Sequence, residues 1–237
     1  MSSVPTDSDF VATRECVQGA IEDPVAQSEP SNLPIFFLLD GRDVSDSLML
    51  WEVQRLDKPS REGSRRWDVH IRDPNSGLRI RMEVTVFTDF PAVDWVCYFA
   101  NEGASDTGLI SNILPLDVGF THPPEQPCFV HHAKGSDCKL DDFAPQVTEL
   151  GVPSELRLAP VGGRSSNVTL PFFNLDLGGR GIIGAVGWTG QWKVHFTRNE
   201  HGQVFVGAGM ERTHLRLHPG EEIRTPRILL LFWEGER

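Results

Sequence analysis

The sequence predicts an all-β fold, a large sandwich of mostly antiparallel strands in two sheets. Three observations predict it. No helix-period stretch extends beyond about three turns anywhere in the chain. About a dozen short apolar or alternating segments are separated by turn signals at roughly 8–12-residue spacing. The most apolar stretch, Leu170 to Trp192 (LPFFNLDLGGRGIIGAVGWTGQW), carries glycines at 178, 179, 181, 184, 187 and 190. Each interior glycine costs a helix about 1 kcal/mol relative to alanine. That stretch therefore reads as two buried strands, a tight hairpin at Gly178–Gly179, and an aromatic loop bearing Trp188 and Trp192.

Taken in order, residues 1–32 are polar, acidic and proline-bearing without sustained periodicity. They read as a poorly ordered tail, and residues 33–237 as a single domain. Pro34 to Leu39 is a short apolar strand closed by Asp40-Gly41-Arg42. Ser45 to Trp51 reads as a polar loop leading into a strand. Trp67 to Asp73 alternates, with Trp67, Val69 and Ile71 on one face and Asp68, His70 and Arg72 on the other. After the turn Asp73-Pro74-Asn75-Ser76-Gly77, Leu78 to Phe87 alternates again. Leu78, Ile80, Met82, Val84 and Val86 face one way; Arg79, Arg81, Glu83 and Thr85 face the other, a strand with one wet side. Val93 to Ala100, Gly108 to Val118 and Cys128 to Ala133 follow as strands. Signals weaken over 146–168. Three more strands span Lys193–Arg198, Val204–Met210 and Thr213–Leu217. A turn at His218–Glu222 precedes a final apolar strand, Arg227–Trp233.

Composition narrows the partners. A net charge of −11, from 22 basic and 33 acidic side chains, disfavours nucleic acid, which selects for a basic surface. No run approaches the roughly 18 apolar residues of a membrane span. The N-terminus shows no signal peptide, so a cytoplasmic protein is expected. The four cysteines, at 16, 97, 128 and 138, form no CxxC pair, which argues against structural zinc. Free thiols are the default, although Cys128 and Cys138 flank a loop that a bridge would close.

Several separated segments resemble the N-terminal domain of bacterial α-galactosidases, the melibiase group of glycoside hydrolase family 36. They are HHAKGSDC…DDFAP (131–145), LPFFNLD (170–176), GAVGWTGQW (184–192) and THLRLHPGEEIRTPRILLLFWEG (213–235), together with DPNSGLRIRMEVTVFTDFPAVDWVCYFANEG (73–103). They occur in the family's order and cover nearly all of 33–235. The resemblance implies a β-supersandwich of the galactose-mutarotase type, packed on a (β/α)₈ barrel that follows it in sequence. In that family the barrel carries both catalytic aspartates of a retaining mechanism, with carboxyl groups roughly 5–5.5 Å apart. The chain stops at Arg237, about where the barrel would begin. No catalytic residue, metal or cofactor is therefore assigned, and the chain alone is expected to be inactive.

The residues singled out as candidate ligands of an α-galactoside or galactose are Trp188, Trp192, His131, His132, Asp141, Asp142 and Asp46. Tryptophans beside small residues and an amide, here Gln191, suit a sugar face, and Trp192, beyond the glycines, is expected to be the more exposed. His131-His132 with Asp141-Asp142 is the densest titratable cluster. Adjacent strand residues point to opposite faces, so only one His and one Asp can share a pocket. The plainer reading of the cluster is a hydrogen-bonded loop. Asp46 lies in a Ser-Asp-Ser turn. Three functions fit these features: a non-catalytic domain shaping the pocket of an α-galactosidase-like enzyme, a stand-alone carbohydrate-binding module, and a mutarotase-like aldose epimerase using one His and one carboxylate. An apolar surface meant for a barrel also predicts self-association, as a homo-oligomer or worse.

Overall fold

The computed structural model describes residues 33–48 and 50–235; the predicted tail over residues 1–32 lies outside the described residues. The fold is all-β and antiparallel throughout its ladders. In chain order the strands are β1 (Phe36–Leu39), β2 (Arg42–Asp43), β3 (Glu52–Lys58), β4 (Ser64–Arg72), β5 (Leu78–Phe87), β6 (Ala92–Asn101), β7 (Ile110–Leu114), β8 (Leu116–Phe120) and β9 (Phe129–Lys134). They continue with β10 (Pro145–Glu149), β11 (Ser154–Leu158), β12 (Thr169–Asp176), β13 (Arg180–Gly187), β14 (Trp192–Arg198), β15 (Val204–Met210), β16 (His214–Leu215), β17 (Glu222–Arg224) and β18 (Arg227–Glu234). One short helix, α1 (Ser45–Leu48), interrupts the stretch expected to be loop.

One layer is a ten-stranded sheet in the order β10-β9-β12-β13-β18-β6-β5-β4-β3, with β17 also on β6. The other layer is two four-stranded sheets, β16-β7-β1-β2 and β11-β14-β15-β8. The layers meet in one continuous core. Phe37 of β1 packs edge-on against Phe99 of β6 at 5.2 Å, and Phe173 of β12 against Phe196 of β14 at 5.1 Å. The split in the second layer departs from the sequence expectation, which ran Gly108–Val118 as one strand. Pro115 divides it into β7 and β8, because proline has no N–H to offer a ladder. The Pro115 carbonyl instead accepts the indole N–H of buried Trp95 across the core, at 2.7 Å.

The alternating strands fold as their pattern dictates. On β4 and β5, Trp67, Val69, Ile71, Leu78, Ile80, Met82, Val84 and Val86 are all buried, each large side chain stabilising the fold by about 1.5–3 kcal/mol. Asp68 breaks the pattern: it is buried rather than wet, and Lys58 reaches it at 2.8 Å. The β12–β13 hairpin turns on Gly178 (φ 79°) and Gly179 (φ 78°), the two left-handed positions of a type I′ turn. Gly184 is needed for a different reason. The Phe173 ring crosses it, so that an added Cβ would lie 2.1 Å from a ring carbon.

The outer surface of the ten-stranded sheet is divided. Over β4–β6 it carries linked ion pairs, Arg79 with Glu102 and Arg81 with Glu83 and Glu222. Over β10, β12 and β13 it exposes Val147, Phe172 and Ile183.

Candidate functional site

The histidine and aspartate cluster does not converge. His131 and His132 sit on β9, paired to Val147 and Gln146 of β10, and the strand pleat sends them to opposite faces. His132 turns inward, and its Nε2 lies 3.1 Å from the Thr148 hydroxyl. Burial, helped by neighbouring His131, lowers its pKa, so it favours the neutral ring. His131 turns outward, with its Nε2 3.8 Å from Asp176 of β12. The carboxylate that faces a histidine of this cluster is Asp176, which sequence reasoning missed. Nothing local signals it; antiparallel pairing of β9 with β12 brings them together.

Asp141 and Asp142 instead hold their own loop. Asp142 accepts hydrogen bonds from the Ser136 hydroxyl at 2.6 Å, the Asp137 N–H at 2.9 Å and the Cys138 N–H at 3.1 Å. These donors, the Ser136 hydroxyl foremost, hold its carboxyl below its usual range. Asp141 pairs with Lys134, whose hydrogen bond and charge lower its pKa likewise. A polar cavity of about 240 Å³ opens beside them, lined by Lys134, Asp137, Lys139, Asp141, Asp142 and Gln146. Neither histidine lines it.

The two tryptophans exchange the roles expected of them. Trp192 begins β14 facing inward, is fully buried, and donates its indole N–H to the Ser165 carbonyl at 2.7 Å. Trp188, just past β13, is half-buried against the core edge. The reason is register. Trp192 starts a strand on the phase of Val194, Phe196 and Arg198, all buried, whereas Trp188 lies in the connection. Gln191 is not a free amide: its oxygen accepts the Gly163 N–H at 2.9 Å and its nitrogen donates to the Pro160 carbonyl, stapling the 160–163 loop. Asp46 falls within α1, and its side chain lies outside the described residues.

Trp188 helps line an open groove of about 490 Å³ with Met210, Arg212, Thr213, Leu215, Ile223 and Arg224. The Arg224 guanidinium lies over the indole at 5.6 Å from the ring centre. The groove draws on the end of β13, the β15–β16 connection and β17. Its two arginines carry no distinguishing sequence signal. Arg224 lies just beyond what reads as a turn, and the structure makes Glu222–Arg224 a strand on β6. Among the described residues, no group of three or more His, Cys, Asp or Glu side chains is arranged to hold a metal ion.

Neither a protein-family model nor a curated protein matches the chain. Solved structures do. An α-galactosidase from Lactobacillus brevis superimposes with a TM-score of 0.66 at 12% identity, over 85% of this chain and 29% of that one. A GH36 α-galactosidase from Geobacillus stearothermophilus gives 0.61 at 15% identity, over 85% and 30%. The galactosidase domain of an α-galactosidase–sucrose kinase gives 0.66 at 14%, over 85% and 30%. The likeness is one of fold, and the chain spans about 30% of the length of these proteins.

Proposed function

We propose that the chain is the non-catalytic β-supersandwich domain of an α-galactosidase-like glycoside hydrolase, packing on a (β/α)₈ barrel and shaping one wall of its galactoside pocket. The observation that carries this reading is the unequal coverage: 85% of this chain matches, but only about 30% of the α-galactosidases it superimposes on. The exposed Phe172, Ile183 and Val147 on the large sheet support it as an apolar surface suited to a covering element. The resemblance of segments 131–145, 184–192 and 213–235 to the same domain supports it independently.

Two measurements test the reading. Genomic sequence after codon 237 should encode a barrel, in the same frame or the adjacent one; its absence from both overturns the proposal. The purified chain should hydrolyse an aryl α-galactoside no faster than buffer, and turnover abolished by a point substitution in this chain would refute the non-catalytic role.

A further inference from the structure

We infer that the groove beside Trp188 is a binding site for an acidic saccharide, a pyranose carrying a carboxylate. The inference goes beyond the proposed domain role and does not rest on it.

Three independent features meet in this groove. The first is an indole with an unused donor. The N–H groups of Trp95, Trp192 and Trp233 donate to the Pro115 carbonyl, the Ser165 carbonyl and the Asn174 side chain. That of Trp188 has no acceptor among the described residues, and its ring is half-exposed at the groove. A tryptophan ring with an accessible N–H offers an apolar face and a polar tip, which suits a sugar ring and one hydroxyl.

The second feature is charge. Arg212 and Arg224 are exposed, and neither makes a hydrogen bond or ion pair with its guanidinium among the described residues. The acids beside them in sequence are engaged elsewhere: Glu211 with Arg157, and Glu222 with Arg79 and Arg81. Two guanidiniums without an acid partner, that of Arg224 resting over the Trp188 ring, flank one groove in a chain of net charge −11 and are complementary to an anion. The planar guanidinium matches a carboxylate in a two-pronged hydrogen bond.

The third feature is size and lining. About 490 Å³ lies within the roughly 300–1,000 Å³ of small-molecule clefts and holds one or two pyranose rings. Met210, Leu215 and Ile223 supply an apolar floor. An aromatic acid would satisfy the arginines and leave the Trp188 N–H unused. A uronate uses both.

Calorimetric titration with D-galacturonate, D-galactose and benzoate tests the assignment. Galacturonate should bind saturably and at least about 10-fold more tightly than the other two, with affinity falling as salt is raised. Arg212→Gln with Arg224→Gln should remove that preference, and Trp188→Ala should abolish binding. If the alanine variant does not fold, the double glutamine variant, which changes only exposed side chains, carries the same test. Absence of galacturonate binding at millimolar concentration, equal binding of galactose or benzoate, or binding that survives the arginine changes overturns the inference.

Discussion

Replacing Trp192 discriminates most sharply between a core tryptophan and a sugar platform. Its side chain is fully buried in the core at the start of β14. Trp192→Ala deletes the whole indole, a change that costs about 3–5 kcal/mol at a well-packed site. It also removes the donor to the Ser165 carbonyl, 2.7 Å away. Ser165 is only half-buried, so water can replace that donor and the extra cost falls at the low end of about 1–3 kcal/mol. A total of about 4–6 kcal/mol is a quarter or more of a typical domain's stability. Near 200 residues it lowers the melting temperature by about 8–24 °C. Trp192→Phe keeps most of the packing and should lose about 1–2 kcal/mol. Urea unfolding followed by circular dichroism measures both. Trp188→Ala, at the half-buried position, should cost under about 2 kcal/mol. A loss below 1 kcal/mol at Trp192, or a larger loss at Trp188 than at Trp192, would refute the assignment of core to one and groove to the other.

Four further outcomes follow from the same geometry. Arg198 is buried, and its guanidinium donates to the carbonyls of Leu150, Pro123 and Gln126 at 2.7–2.8 Å; Arg198→Met should cost about 3 kcal/mol in urea unfolding, and a loss under 1 kcal/mol would contradict the clamp. Burial, reinforced by the charge of Asp43, pushes the Asp117 carboxyl up to about 6. The stability it contributes is complete below about pH 4 and is lost as pH rises through about 6, so in urea unfolding Asp117→Asn should be more stable than the parent at pH 8, by on the order of 1 kcal/mol once solvent screening is allowed for, and match it at pH 4. Among the described residues, Cys138 is exposed while Cys97 and Cys128 are buried, their thiols pushed up to about 12 by desolvation; iodoacetamide on the native protein should therefore label the Cys138 peptide and spare those of Cys97 and Cys128, as read by mass spectrometry. Phe172 is 55% exposed on the apolar part of the large sheet; Phe172→Lys should reduce concentration-dependent association in light scattering, and a parent chain that is monodisperse and monomeric would remove the premise.

The sequence alone determined what depends on neighbours one or two residues away. A period of two makes one face of β4 and β5 apolar, and burial followed it at every apolar position. The glycine pair at 178–179 specified the hairpin, because only left-handed backbone closes a two-residue turn of that type. The hydrogen-bonded loop around Asp142 was legible as turn chemistry. What only the tertiary structure decided depends on strands that are distant in sequence. Asp68 reads as a surface acid until β3 places Lys58 beside it. His131 meets Asp176 rather than Asp141 because β9 pairs with β12. Trp188 and Trp192 are four residues apart and alike in local context, yet one is core and the other lines a groove. That difference is set by where β14 begins and by what β15, β16 and β17 leave uncovered. The groove's arginines, indole and apolar floor come from three separate segments, so no window of sequence contains the site. Long-range pairing sets such positions, and its energy resides in contacts that the local pattern does not encode.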